Sequence, residues 1–152
     1  MPKIDIDGLE PDRSTNYPPL FNKAVEGRGR QRLGRAAGLT QFGVNISTLR
    51  PGAASSLRHW HENEDELVYL LEGEAVLCED SGETVLKAGE AAAWKAGVQN
   101  GHCLVNRSSR DAVFIEIGTR APEERAYYSD IDMMVVRDEA GMRYAKKDGR
   151  PY

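Results

Sequence analysis

Three histidines and one glutamate are the residues of this chain whose types and spacing could do chemistry. His59 and His61 alternate within RHWHENEDELVYLLEGE, Glu66 follows five residues later, and His102 opens another apolar stretch. Alternate residues of a strand point to the same side roughly 7 Å apart, so two imidazoles can reach one ion at about 2.1 Å. A carboxylate returning beside them on an apolar face is costly unless it is paired or ligated. The pattern therefore favours a metal site over ordinary surface histidines.

The segments that must position these residues have the pattern of an all-β protein. Phe42, Val44 and Ile46 alternate with polar residues, as in a half-buried strand. Turn signals recur about every eight to twelve residues, which is typical of a sandwich or barrel. The predicted strands lie in LTQFGVNISTL, LRHWH, ELVYLLEGEAVLCED (broken at Gly73), TVLKAGEAAAWKAG, HCLVNRSS and DAVFIEIGTR.

Length, charge and composition exclude several classes of protein. A chain of 152 residues, 40% hydrophobic and 29% charged, fits one globular domain. Its net charge of −4 argues against general binding to nucleic acid or to an acidic membrane. No apolar run approaches the ~18 residues of a membrane span, and the N-terminus lacks the features of a signal peptide. We therefore expect a cytoplasmic protein in which Cys78 and Cys103 are free thiols.

The two flanks differ from the central segment. Residues 1–38 form a proline-containing extended arm and a connection, and the arm is either disordered or a strand lent to a partner subunit. The connection EGRGRQRLGR (26–35) carries four arginines that could contact phosphate, although a solvated loop is favoured. Residues 120–152 form a C-terminal extension that we expect to pack on the barrel of residues 39–119.

The spacing of glycines and histidines resembles the two conserved motifs of the cupin superfamily, most closely those of small bacterial single-domain cupins. The first motif corresponds to Gly52-x6-His59-x-His61-x4-Glu66-x6-Gly73. The second corresponds to Gly89-x5-Lys95-x-Gly97-x4-His102-x3-Asn106. The chain departs from the family pattern in three ways. It has one additional residue before His59, Lys95 in place of a proline, and two additional residues in the VQNG loop before His102.

The resemblance implies a single-domain jelly-roll β-barrel that forms a homodimer and holds one divalent metal ion in its lumen. By position, the implied ligands are His59, His61, Glu66 and His102. The same resemblance makes Gly52 and Gly73 turn glycines and Asn106 a structural residue. A set of three imidazoles and one carboxylate suits zinc, iron, manganese, nickel or cobalt, and the sequence does not choose among them.

The function predicted from this set is a metal-dependent cupin that acts on a small organic or sugar-like molecule. The ion would serve as Lewis acid and template. Oxygenase, isomerase, decarboxylase and lyase chemistry all fit, since fold does not determine reaction. The alternative is a small-molecule binding or sensor cupin without catalysis. No nucleic-acid or membrane partner is expected.

Catalytic residues remain unassigned at this level. Glu116 could face the lumen as a base, or lie on the outer face in a salt bridge. Lys95 and Asn100 lie near the predicted barrel mouth, where solvated loop positions are favoured over substrate contacts. An outer face bearing Trp60, Leu67, Tyr69 and Leu71 would be an exposed apolar patch prone to association. We therefore expect another sheet, the N-terminal arm or a second subunit to cover it.

Overall fold

The protein is described here by a computed structural model over residues 3–152. These residues contain twelve β-strands, a 3₁₀ helix (Pro19–Val25) and one helical turn, α1 (Leu33–Ala36). The strands are β1 (Arg28–Gln31), β2 (Phe42–Leu49), β3 (His59–His61), β4 (Glu66–Glu72), β5 (Glu74–Glu79), β6 (Gly82–Lys87), β7 (Ala91–Trp94), β8 (Cys103–Val105), β9 (Ala112–Thr119), β10 (Glu124–Tyr128), β11 (Met134–Asp138) and β12 (Gly141–Ala145).

Antiparallel pairing arranges the strands in two walls of a jelly-roll barrel. One wall is a five-stranded sheet in the order β1-β2-β9-β4-β7. The other consists of a four-stranded sheet, β12-β11-β10-β3, and a three-stranded sheet, β6-β5-β8. Single bridges between His59 and His102 and between Ala54 and Val105 connect β8 with the chain leading to β3. The predicted all-β class and the predicted strands between residues 39 and 119 are confirmed.

Alternation along β4 shows which side chains enter the barrel. Val68 and Leu70 are buried, whereas Leu67, Tyr69 and Leu71 are exposed. Because cross-strand partners share a face, the pairing of Val68 with Glu116 places Glu116 on the inner face. The position of Glu116, which the sequence left open between the two faces, is therefore inside the barrel.

One part of the interior is filled by apolar side chains. Leu49, Leu70 and Phe114 are almost completely buried there. At roughly 25 cal/mol per Å² of apolar area removed from water, this cluster is a main source of stability. Its members are Leu49, Ala53, Val68, Leu70, Ala75, Leu77, Leu86, Leu104, Ala112 and Phe114.

The arginine-containing connection is not the solvated loop that the sequence favoured. Residues 28–31 form β1, which pairs with β2, and Arg28 is buried. Arg28 and Arg30 lie opposite Leu49 and Ser47, so they share the inner face with those two buried residues. The prediction failed because a short, Gly/Arg-rich edge strand has neither the β-branched composition nor the alternation that identifies strands from sequence.

Both flanks lie against the barrel of their own chain. In the arm, Asp12 forms a β-bridge with Arg30, and the Tyr17 ring contacts Tyr128 edge-on at 5.6 Å between centroids. Residues 12–17 are therefore ordered against the barrel of the same chain, and a strand lent to a partner subunit stays a prediction. At the other end, residues 120–152 supply β10–β12, and β10 pairs directly with β3. The division of the chain at residues 38 and 119 stays a prediction.

None of the helices formed by residues 3–152 is long and apolar enough to cross a bilayer.

Candidate metal centre

Three of the four predicted ligand residues, His59, His61 and Glu66, meet at one point in the barrel, and the fourth, His102, contacts Glu66. His59 Nε2 lies 3.1 Å from His61 Nε2, and His102 Nε2 lies 2.8 Å from Glu66 Oε2. Glu66 Oε2 is also 3.4 Å from His61 Nε2 and 4.0 Å from His59 Nε2. The side chains of residues separated by more than forty positions in the chain thus present their ligating atoms to one small volume.

Local pairing explains why these residues meet. His59 and His61 are alternate residues of β3, so both rings enter the interior. Reciprocal backbone hydrogen bonds, His59 N–H to His102 O at 3.2 Å and His102 N–H to His59 O at 3.0 Å, place the third imidazole beside them. Glu66 begins β4 in the facing wall. The site therefore spans both walls of the barrel.

A second contact fixes the orientation of each imidazole. The Nδ1 atoms of His59, His61 and His102 lie 3.0–3.1 Å from Leu57 O, Glu124 Oε1 and Asn100 O respectively. An Nδ1 contact of this kind fixes the ring so that Nε2 faces the interior, and metal-binding histidines commonly have such an outer partner. An Nε2 atom becomes a ligand once any proton it carries is released, as metal binding requires.

Glu124 is a functional residue that the sequence reasoning missed. Its buried carboxylate accepts from Nδ1 of His61 at 3.1 Å and from the backbone N–H groups of Glu62 and Asn63 at 3.1 and 2.9 Å. The antiparallel pairing of β10 with β3 produces this contact. No local pattern in the sequence joins residues 61 and 124, so only that long-range pairing reveals it.

Trp94 is the second missed residue. Its ring stacks on the imidazole of His102, with centroids 3.7 Å apart and planes inclined by 4°. Trp94 Nε1–H donates to Glu79 Oε1 at 2.9 Å, and the same oxygen accepts from Asn100 Nδ2 at 2.8 Å. These contacts hold the VQNG loop against the barrel. The two additional residues in this loop therefore do not displace His102 from the site.

Charge in the site is set by burial and by hydrogen bonds together. Burial lowers the pKa of His59 to about 3, so that ring is neutral. Burial opposes protonation of His61 as well, but hydrogen bonds to Glu124 and Glu66 raise its pKa to about 10. Burial likewise opposes ionisation of Glu66, yet its hydrogen bonds to His102 and His61 hold its pKa well below the ordinary value. A proton on His61 thus accompanies the Glu66 carboxylate.

The geometry fits a divalent ion. Two ligand atoms about 2.1 Å from an ion and at right angles to each other are about 3.0 Å apart, close to the shorter separations found here. The ligating atoms of His59, His61 and Glu66 all lie within 4.8 Å of one another. Three nitrogens and one oxygen suit a borderline transition ion, on which one or two positions would remain for other ligands.

A cavity of about 360 Å³ opens from this centre, a volume suited to a small molecule. Glu116 projects into it and accepts from Asn45 Nδ2 at 2.8 Å. Lys95 and Asn100 do not line the cavity. Lys95 is exposed, and the side chain of Asn100 is bound to Glu79 and to the backbone N–H of Asp80. Lys95 is therefore a solvated position as favoured, whereas Asn100 is half-buried and fixed to the protein instead of being solvated.

Three tyrosines close part of the cavity. Tyr128 stacks on His59 with centroids 5.7 Å apart, and Tyr17 and Tyr144 pack around it. The Tyr17 hydroxyl accepts from the backbone N–H of Leu57 at 3.3 Å. Because burial raises the pKa of all three, these hydroxyls remain protonated near neutral pH.

Residues that the motif marks as structural have structural contacts. Gly52 and Gly73 have φ of +83° and +73°, and a Cβ at Gly73 would lie 2.5 Å from Asp111 O. Buried Asn106 donates to Leu49 O and Arg110 O at 2.8 and 2.7 Å. Cys103 is a buried free thiol whose pKa burial raises to about 12.

Comparison with known proteins agrees with this architecture. The cupin domain family matches residues 45–118. A crystal structure of a sugar phosphate isomerase from a cupin superfamily, from Silicibacter pomeroyi, is 50% identical in sequence with a TM-score of 0.96. The alignment covers 99% of this chain and 96% of that one. The chain therefore belongs to the cupin superfamily.

More distant structures share the fold. A putative sugar phosphate isomerase from Acidithiobacillus ferrooxidans is 22% identical, with a TM-score of 0.75 over 82% of this chain and 80% of that one. A predicted oxalate decarboxylase from Thermotoga maritima is 23% identical, with a TM-score of 0.63 over 78% and 99%. No protein with a curated function matches the sequence.

Proposed function

We propose that His59, His61, Glu66 and His102 bind one divalent metal ion and that the protein is an enzyme acting on a small sugar-like molecule. The observation that carries this proposal is the meeting of the His59, His61 and Glu66 ligating atoms within 4.8 Å of one another, with His102 Nε2 2.8 Å from Glu66 Oε2, beside a small-molecule cavity. The ion, when bound, would supply Lewis-acid polarisation of a substrate oxygen.

Isomerisation of a sugar phosphate is the reaction we favour. The 50% identical protein from Silicibacter pomeroyi bears the name sugar phosphate isomerase, and nearly the full length of both chains aligns. Such a reaction moves a proton between adjacent carbons and needs neither an oxidant nor a second substrate. It is therefore the simplest chemistry consistent with one ion and a closed cavity.

Glu116 is the carboxylate best placed to hold that proton. Glu64 is occupied by Arg137 and by the backbone N–H of Ala121, and Glu124 is occupied by His61 and two backbone groups. Glu116 faces the cavity with Asn45 and Arg30 beside one of its oxygens. It would take the proton from the hydroxyl-bearing carbon next to a carbonyl group and return it to the carbonyl carbon, while the hydroxyl proton passes to the former carbonyl oxygen, so that hydroxyl and carbonyl exchange places.

Metal analysis tests the centre directly. Protein purified without chelator is expected to contain about one transition-metal ion per chain. His59→Ala and Glu66→Ala should lose most of it while keeping the wild-type circular dichroism spectrum. Chelation should lower the melting temperature of the wild type, because an ion that binds only the folded state stabilises it. Equal metal content in wild type and both variants would contradict the assignment.

A substrate panel tests the activity. Metal-loaded protein is incubated with aldose and ketose phosphates, and interconversion is followed by NMR. Glu116→Gln should lower kcat by roughly 10²–10⁴-fold with metal content unchanged, as expected for loss of a general base. Tight binding of a sugar phosphate without any product would identify a binding or sensor protein instead.

Assembly belongs to the same proposal. The outer apolar face, defined by Phe42, Leu67, Tyr69, Leu71 and Ile117, is exposed on the five-stranded sheet. No segment of residues 3–152 covers it, so of the three covers expected from the sequence only a second subunit stays open. Of the four residues that the sequence placed on an outer face, only Trp60 is covered. Its ring stacks on Tyr127 with centroids 4.6 Å apart. We propose that a second copy of the chain packs on this face in a cytoplasmic homodimer.

Sedimentation tests the dimer. Tyr69→Lys places a charge on the outer apolar face and should shift the protein towards monomer, since a buried charge without a partner is costly. Val85→Lys changes an equally exposed apolar residue on β6, in the other wall, and should leave association unchanged. A monomeric wild type would contradict the homodimer.

A further inference from the structure

Arg28 is a buried cation that the proposed chemistry leaves without a role. Only 6% of its surface is exposed. Its Nη1 donates to Ser55 O at 2.6 Å and its Nη2 to Ser14 O at 3.4 Å, and no carboxylate among residues 3–152 forms an ion pair with it. A guanidinium has five N–H groups, so most of its donors lack a protein acceptor. Burying a charge in this way is costly, which calls for a compensating ligand.

Arg30 adds a second charge beside it. Both side chains lie on the inner face of β1 and line the same cavity as the metal centre. Arg30 Nε is 2.9 Å from Glu116 Oε1, but it is buried without a directed hydrogen bond. Burial, reinforced by the positive charge of Arg30, lowers the pKa of Arg28 to about 10, so Arg28 remains cationic at neutral pH. The one carboxylate beside the two arginines, Glu116, is paired with Arg30 and leaves Arg28 without a counter-charge.

The region is within reach of the metal centre. Ser55, which accepts from Arg28, precedes Ser56, whose Oγ lies 3.3 Å from Nδ1 of His59. One molecule in the cavity could therefore contact Arg28 at one end and the ligand set at the other. The Tyr17 and Tyr144 side chains line the same cavity.

We propose that Arg28 and Arg30 form an anion subsite that binds the phosphate group of the substrate. A phosphate monoester supplies the acceptors and the charge that Arg28 lacks, and guanidinium groups bind phosphate through paired N–H donors. The subsite rests on the proposed function for its substrate, but its binding of phosphate does not depend on the metal.

Phosphate binding provides the test. Inorganic phosphate is titrated into metal-loaded and metal-free protein by calorimetry, for wild type, Arg28→Gln and Arg28→Lys. We expect phosphate to bind both forms of the wild type. Its affinity should fall at least tenfold in Arg28→Gln and by less in Arg28→Lys, which keeps the charge but lacks the paired N–H donors of a guanidinium group. Arg107→Gln, at an exposed arginine paired with Glu83 outside the cavity, should bind as wild type does.

The outcomes separate this proposal from the previous one. Phosphate binding that disappears on metal removal, or that survives Arg28→Gln unchanged, would overturn the subsite even if sugar phosphates are turned over. Retained, Arg28-dependent phosphate binding without turnover would support the subsite and reject the isomerase. Circular dichroism and the melting temperature of Arg28→Gln establish that the variant is folded. If Arg28→Gln does not fold, the titration of Arg28→Lys decides. Phosphate binding by Arg28→Lys equal to that of wild type would count against recognition through the paired N–H donors of the guanidinium group.

Discussion

The barrel interior has two regions built on different principles. The apolar region around Leu49, Leu70 and Phe114 has no titratable group among its core members and is closed by packing alone. The polar region holds three histidines, buried glutamates and buried Arg28, each held in place by hydrogen bonds. From this difference we expect stability and binding to depend on separate residues in this small domain, and substitutions in each region test that expectation.

Leu49→Ala is expected to have the largest effect on stability. Leu49 is fully buried, and removing its side chain should lower the free energy of unfolding by about 2–5 kcal/mol through lost burial and a cavity. Metal affinity of the folded protein should remain that of wild type. Denaturant unfolding and metal titration measure the two quantities. Val85→Ala, at an exposed position, is the control, and a large loss of metal affinity in Leu49→Ala would contradict the separation.

Glu124→Gln should have the converse effect. The amide keeps an acceptor but lacks the charge that supports His61, so metal affinity should fall roughly 10–100-fold. The melting temperature of the metal-free protein should change little by comparison. Competition with a chelating dye gives the affinity. Glu123→Gln, at the exposed neighbouring position, should leave the affinity unchanged, and a similar loss there would remove the special role of Glu124.

Lys95→Gln should have the smallest effect. Lys95 is exposed and does not line the cavity, although it stands where the cupin motif has proline. We expect unfolding free energy and metal-binding free energy to stay within about 0.5 kcal/mol of wild type. A stronger metal affinity in this variant would show that the lysine charge acts on the centre. The polar region would then extend beyond the residues that line the cavity.

The strands that flank the metal centre could be predicted because their signals are local. Alternation in β2 and β4 and the spacing of His59, His61 and Glu66 are readable within short windows. Trp94 on His102 and Glu124 on His61 could not be predicted, because each contact depends on which distant strands pair. The prediction for residues 28–31 failed for a different reason. Arginine and glycine carry no strand propensity, and the burial of Arg28 is imposed by the fold.

The position of the arm has a consequence for how the chain should be compared with its relatives. The cupin domain match spans residues 45–118, yet Tyr17, Arg28 and Glu124 lie outside it. Barrels with the same metal motif can therefore differ in substrate selectivity through the segments before and after the central domain alone. Exchanging residues 3–38 between two such proteins, with the central segment kept, would be the informative chimera, and engineering a new substrate should begin there.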